Sequence, residues 1–303
     1  MNATDALPTG LPQQLRAFGS LVKLSHTIFG LPFALAAAAL GHRFAIAAGS
    51  PGLDVVRVLC IVLAFAGARA AAMGFNRIVD RRFDAANPRT ADRELPRGVI
   101  SLGAAWALTI LSAAVFLGAS AWLGPLPAAL APLCLVVLLG YSLFKRFSWS
   151  SHLVLGVALA LAPGGAWVAV TGGLGGAAIP LALMAAVATW VAGFDVLYAL
   201  QDEAFDREHG LHSIPARFGT KGAIVISAGL HVLTVGALVA VHLLAELGPI
   251  HAAGIALITA ILVVEHAIVR PGDLSKLGRA FFDLNGWVSL GYLAATVLDL
   301  TVG

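Results

Sequence analysis

The stretch Phe75 to Gly98 reads FNRIVDRRFDAANPRTADRELPRG. Six arginines and four acids fall within these 24 residues, in a chain that is otherwise largely apolar. Of 303 residues, 59% are hydrophobic and 12% are charged, about half the roughly 25% charged share of a soluble domain. Such a composition belongs to a polytopic membrane protein, so the charged stretch reads first as a loop between spans.

A spanning helix needs about 20 mostly apolar residues. Working outward from the charged stretch, that rule gives about nine spans, near 25–49, 54–76, 101–123, 126–144, 150–170, 177–201, 222–244, 250–269 and 280–300. Tight turns are expected at Gly124-Pro125 and between Gly172 and Gly176. This order places sixteen of the nineteen Lys and Arg residues in the N-terminal segment and alternate loops, on one side. Arg43 and Arg57 lie on the other side, and Arg69 lies within span two. By the positive-inside rule the Asp-rich loops and the N-terminus face the cytoplasm, and the C-terminus lies outside. The expected fold class is an all-α bundle of about nine transmembrane helices. Residues 1–24 form a cytoplasmic segment and 25–303 a single membrane domain. The expected location is the inner (cytoplasmic) membrane.

Positive-inside bias accounts for arginines but not for acids. Asn76, Asp80 and Asp84 are spaced four apart, so in a helix each is rotated by about 40° from the last and all three share a face. Like charges at this spacing destabilise a helix by a few tenths of a kcal/mol, and a divalent cation would offset that. The end of span six repeats the arrangement in FDVLYALQDEAFDREHGLHSIPARFG. There Asp195, Tyr198, Asp202 and Asp206 sit at offsets that share one helical face. Each acidic pair ends an apolar span, and each is followed by a loop closing in Pro and Gly, as in a weak internal duplication. Four carboxylates, Asp80, Asp84, Asp202 and Asp206, suit Mg²⁺, a hard ion that prefers oxygen and shares its shell with substrate phosphates. Arginines around them suit phosphate oxygens. Acids and arginines at one membrane face suggest a Mg-diphosphate site, beside a bundle able to house a lipid tail. Arg69, seven residues before Asn76, and Asp195, one to two turns deeper than Asp202, are intramembrane charges and functional candidates for that reason.

These residues resemble the UbiA superfamily of intramembrane prenyltransferases, which are nine-helix bundles with motifs written N-D-x-x-D-x-x-x-D and D-x-x-x-D. Asn76 to Asp84 is similar to the first and Asp202 to Asp206 to the second, with Asp195-x-x-Tyr198-Ala199 also matching. NPRTADRELPRG and HSIPARFG resemble the loops after the motifs, and YSLFKRFSW, Tyr141 to Trp149, resembles the basic loop after the fourth helix. The likeness spans about 20–300, and the nearest branch is that of the 4-hydroxybenzoate polyprenyltransferases. One position departs from the pattern: Arg77 stands where the family usually has Asp.

The resemblance implies Mg-dependent transfer of a polyprenyl group from polyprenyl diphosphate to an aromatic quinone precursor, 4-hydroxybenzoate first. The Asn-Arg variant points to an alternative acceptor, 1,4-dihydroxy-6-naphthoate of the futalosine menaquinone route. Asp80, Asp84, Asp202 and Asp206 are expected to hold the metal, with Asn76 as an oxygen ligand, and Asp80 and Asp202 are expected to be indispensable for catalysis. Lys145, Arg89 and Arg93 are expected on phosphate oxygens, with Tyr141 and Tyr198 beside the substrates. Asp195 is expected to orient the acceptor's phenol or take its proton. Arg69 or Arg146 is expected on an acceptor carboxylate.

Two other classes compete. A cation transporter would place its key charges near the bilayer midplane in broken helices, whereas here most acids lie at one face. A CDP-alcohol phosphotransferase would need a compact D-G-x-x-A-R element, which the sequence lacks. No basic-aromatic pattern suggests nucleic acid. Cys60 and Cys134 lie in apolar runs without metal-ligand spacing and read as small hydrophobes. Lys23 and His26, in KLSHTIFGLPFA, are placed to approach the site from the cytoplasmic end. His209 and His212 read as solvated loop residues, and His231, His242, His251 and His266 as structural.

Overall fold

A computed structural model describes residues 18–21, 27–269 and 277–302 of the chain. Lys23 and His26 lie outside the described residues. Nine long helices follow one another among those described: α1 Thr27–Ala47, α2 Val55–Ala86, α3 Leu102–Leu123, α4 Pro125–Gly140, α5 Ser151–Thr171, α6 Ala178–Tyr198, α7 Ile214–Leu244, α8 Pro249–Ile268 and α9 Leu277–Val302. No strand interrupts them among the described residues. The first eight are long and apolar enough to cross a membrane, the fourth when taken on to Arg146. The ninth has 26 residues, ample length for a span, but its sequence carries Asp283, Asn285 and Asp299 and is less apolar. The chain is a multi-pass membrane protein.

The helix limits follow local signals. Asp54 caps α2 by accepting from Arg57 N at 2.7 Å, and Ser101 and Ser213 cap α3 and α7 in the same way. Gly124, at φ 138°, turns the chain between α3 and α4, and Gly172 closes α5 in the left-handed conformation. Gly219, at φ 71°, breaks α7 near its start, so the membrane-crossing part begins close to the expected residue 222.

Consecutive helices pack as neighbours, and α1 inserts against both α5 and α9, closing the bundle. Close approach depends on missing side chains. A Cβ on Gly156 of α5 would lie 2.1 Å from the Ala188 carbonyl oxygen of α6, so only glycine lets these two backbones touch. A core of Phe33, Trp167, Leu183, Trp190 and Tyr292 fills the centre of the α1, α5, α6 and α9 group.

Three departures from the sequence reading bear on function. Helix α2 runs to Ala86, ten residues past the expected end of its span, so Asn76, Asp80 and Asp84 lie on one uninterrupted helix. The chain after α4 tightens into a 3-10 turn, Tyr141–Arg146. The face expected to carry Asp195, Tyr198, Asp202 and Asp206 is not one helix. It changes to a 3-10 turn at Ala199–Asp202 and resumes as a short helix, Glu203–Glu208. Tightening of this kind is common at helix C-termini. It leaves Asp202 at φ −103°, ψ 2°, in the sparsely allowed bridge region where active-site residues recur.

Candidate active site

Helices α2, α4 and α6 run in the same sense and end at the same face of the bundle. Their C-terminal ends carry partial negative charge, which favours cations nearby. The segments that follow supply them: Arg89 and Arg93 after α2, and Lys145 and Arg146 after α4. A cavity of about 1360 Å³ opens among these ends, larger than the roughly 300–1,000 Å³ of a usual small-molecule site. Its polar end carries Asn76, Asp80, Asp84, Asp202, Tyr141 and the four cations just named. Arg69, Asp195 and Tyr198 also line it, and its apolar walls include Ile61, Phe65, Phe116, Leu130, Leu133 and Leu159.

Each of the four motif carboxylates has its own cation. Arg146 Nη2 donates to Asp80 Oδ1 at 3.0 Å, and Arg93 Nη1 donates to Asp84 Oδ1 at 2.6 Å. Arg89 donates to both oxygens of Asp202, through Nε at 2.9 Å and through Nη2. Lys145 Nζ stands 2.7 Å from Asp206 Oδ1. Asn76 completes the set by donating to Asp80 Oδ2 at 3.0 Å, one turn away on α2. The site is thus charge-paired throughout. Pairing moderates the repulsion that two acids one turn apart would otherwise feel.

The pairs also cross between the motifs. Asn87 and Arg89, from the loop after the first motif, both bond Asp202 of the second, the Asn87 contact being 3.0 Å. Arg89 Nη1 reaches the Tyr198 hydroxyl at 3.2 Å and its guanidinium lies over that ring. Burial disfavours the Arg89 charge, but its hydrogen bonds to Asp202 and the carboxylate's field outweigh burial and raise its pKa. The His212 amide donates to the Lys145 carbonyl at 2.7 Å, tying the second-motif loop to the basic turn.

Asp206 departs from expectation. It is fully buried and does not line the cavity, and its Oδ2 has no hydrogen-bond partner. The break at Ala199–Asp202 turns it away from the face shared by Asp195, Tyr198 and Asp202. Arg77, the residue that departs from the family pattern, is 3% exposed. Its Nε donates to the Leu21 carbonyl at 3.4 Å and its Nη1 stands 3.9 Å from Asp84 Oδ2. The cation at this position therefore bridges the first motif to the segment before α1.

Two site residues escape sequence reasoning. Asn87 lies in the NPRTADRELPRG loop, but its bond to Asp202, 115 residues away, has no local signal. His152, the second residue of α5, places Nδ1 2.6 Å from Asp195 Oδ2. A single histidine opening an apolar helix gave nothing to distinguish it. Among the described residues no three His, Cys, Asp or Glu side chains converge into a ready metal cage. Four other histidines pair with one another, His231 with His266 and His242 with His251. Cys60 and Cys134 are free thiols and only partly buried.

Comparison with known proteins agrees with this geometry. A sequence profile of the UbiA prenyltransferase family matches residues 31–287. A protein of Azotobacter vinelandii named 4-hydroxybenzoate octaprenyltransferase is 32% identical over 255 residues, 83% of each chain. One of the same name from Nitrosospira multiformis is 30% identical over 95% of this chain and 93% of that one. The solved apo structure of a UbiA homologue from Aeropyrum pernix superposes with a TM-score of 0.80 at 35% identity, over 90% of this chain and 98% of that one. A UbiA homologue from Archaeoglobus fulgidus, solved bound to GPP and Mg²⁺, shares the fold with a TM-score of 0.73 at 22% identity, over 94% and 99%. With the paired acidic motifs meeting at one end of a helical bundle, the chain is a member of the UbiA prenyltransferase family, a membrane-embedded prenyltransferase.

Proposed function

We propose that this enzyme transfers a polyprenyl group from polyprenyl diphosphate to the ring of an aromatic acid, with 4-hydroxybenzoate as the first acceptor and Mg²⁺ as the metal. The observation that carries this reading is the joining of both acidic motifs and four basic side chains at the mouth of one large, otherwise apolar cavity. Support for the acceptor comes from the two relatives named 4-hydroxybenzoate octaprenyltransferase. Support for the metal and the donor class comes from the Archaeoglobus homologue solved with GPP and Mg²⁺.

The donor set fits the ion. Asp84, which lines the cavity, has a buried Oδ2 without a hydrogen bond, and hard oxygen donors are what Mg²⁺ prefers. Asp80, Asp84 and Asp202, which line the cavity, would hold it, with Asn76 contributing its amide oxygen, whereas Asp206, expected from the sequence as a fourth ligand, stands behind the lining on Lys145. Since the described carboxylates do not form a complete cage, diphosphate oxygens would be needed beside them to hold the ion. When bound, Mg²⁺ supplies Lewis-acid stabilisation of the leaving diphosphate.

The protein's own side chains divide the remaining work. Arg89, Arg93 and Lys145, each on a carboxylate, transfer to phosphate oxygens and stabilise the charge that grows there as the allylic C–O bond breaks. The electron pair of that bond leaves with the diphosphate. The apolar walls keep water from the allylic carbon, and the cavity's volume accepts the isoprenoid chain. The acceptor carbon ortho to the phenol forms the new C–C bond. Asp195 takes the phenolic proton as this happens and returns it when the ring carbon loses its own proton to the departing diphosphate. Arg69, at the deeper end of the polar lining, holds the acceptor carboxylate. Arg146 stands with the motif acids, on Asp80 and the Val79 carbonyl, whereas Arg69 lies two turns before Asn76 on α2, farther from the diphosphate end. Residues 25–303 act as one domain in the inner membrane, with the acidic motifs on the cytoplasmic side and the C-terminus outside.

The test is turnover by purified protein with Mg²⁺ and labelled geranyl diphosphate. 4-Hydroxybenzoate, 1,4-dihydroxy-6-naphthoate and 1,4-dihydroxy-2-naphthoate are supplied side by side. A labelled 4-hydroxybenzoate adduct is the expected product. A labelled adduct of only the 6-naphthoate would move the enzyme to the futalosine branch, and no adduct from any would sink the aromatic acceptor.

A further inference from the structure

Asp195 lies on α6, seven residues before Asp202 and separated from it by the last residues of that helix and the 3-10 turn Ala199–Asp202, a rise on the order of 10 Å into the bundle. That spacing leaves room for one aromatic ring between the diphosphate end and Asp195. Its side chain is 26% exposed, open enough to meet a ligand. A carboxylate on an open wall has rotamers to choose from, and a short contact removes that choice. His152 Nδ1 lies 2.6 Å from Asp195 Oδ2. With its proton on Nδ1 the imidazole donates to this oxygen and leaves the other carboxylate oxygen to a ligand.

The histidine lies in the cavity wall but presents little surface to a ligand: it is 4% exposed, and its Nε2 is buried without a hydrogen-bond partner. It comes from α5, whereas Asp195 comes from α6, and the two helices are held close where Gly156 meets Ala188. The imidazole is therefore mounted on a rigid contact one turn away.

We infer that His152 is a positioning residue for the aromatic acceptor: it fixes the Asp195 carboxylate so that the other oxygen receives the acceptor's phenolic O–H. This rests on the prenyl-transfer reading above and adds to it a residue that sets acceptor binding apart from donor binding. The same geometry defines the ligand class as a ring with a hydroxyl that donates. A carboxylate held in place by a buried donor offers nothing to a ring bearing only a methoxy group at that position.

The experiment compares steady-state kinetics of the wild-type enzyme, H152A and H152N in detergent, with geranyl diphosphate as donor and 4-hydroxybenzoate as first acceptor. The side-chain amide of Asn places an N–H at the same bond distance from the backbone as His Nδ1. Loss of a hydrogen bond to a charged group predicts a rise in the acceptor KM of about tenfold or more in H152A, with the donor KM within twofold. H152N is expected to recover most of that loss. An unchanged acceptor KM in H152A overturns the inference while leaving prenyl transfer intact. So does an equal rise in both KM values that Asn does not rescue, which marks His152 as a packing residue. If H152A does not fold, H152N decides alone: an acceptor KM near wild type supports the role, and a KM raised tenfold overturns it. A wild-type enzyme that prenylates none of the three acids fails the underlying reading, a result distinct from any of these.

Discussion

The guanidinium of Arg89 grips both carboxylate oxygens of Asp202 across 113 residues of sequence. One residue belongs to the loop after the first acidic motif and the other opens the second, so this pair joins the two halves of the site. It also poses a choice. The fork neutralises Asp202, whereas in the proposed reaction the carboxylate would serve the metal and the fork the phosphate.

The planar fork matters more than its charge. Arg89→Lys keeps the cation but loses the two-point contact and the Tyr198 hydroxyl contact. Its kcat/KM should fall about tenfold or more, and Arg89→Ala should fall further. Equal activity in Lys and wild type would show that charge alone suffices.

Asp80→Ala and Asp202→Ala should each reduce product formation at least about a hundredfold, the scale seen when a transition-state stabilising group is removed. Both should still elute as folded protein in detergent, because neither lies in the helix-packing core. Full activity in both variants would remove the metal-site reading.

Metal dependence can be read directly. Treatment with EDTA should abolish turnover, and added Mg²⁺ should restore it. Thermal unfolding should rise on adding Mg²⁺ with geranyl diphosphate together and change little with Mg²⁺ alone, because no three described acidic or histidine side chains form a cage by themselves.

Lys145 and Asp206 separate stability from function. Lys145→Met leaves the fully buried Asp206 without its cation and should destabilise the protein by about 3–5 kcal/mol. The double variant Lys145→Met/Asp206→Leu should regain much of that stability yet stay inactive. Thermal unfolding beside an activity assay checks both halves.

Gly156→Ala places a methyl group 2.1 Å from the Ala188 carbonyl oxygen and forces α5 from α6. Overpacking of this kind costs about 1–3 kcal/mol, and a lower unfolding temperature should report it. Because His152 rides on α5 one turn earlier, the acceptor KM should rise as well.

The sequence by itself determined the bundle and the reaction class. Apolar runs of spanning length admit only helices in lipid, since every backbone polar group must be satisfied within its own segment. The D-x-x-x-D spacings, at matching ends of spans two and six, located the acids without coordinates because helical periodicity is local. Tertiary structure decided which cation meets which acid, that Asp206 is buried behind the cavity lining, and that Arg77 faces Asp84 and the Leu21 carbonyl. It also decided that His152 meets Asp195. These contacts link residues 7 to 113 positions apart, most of them between different segments, where pairing depends on packing angle and depth. No period in the sequence records those quantities.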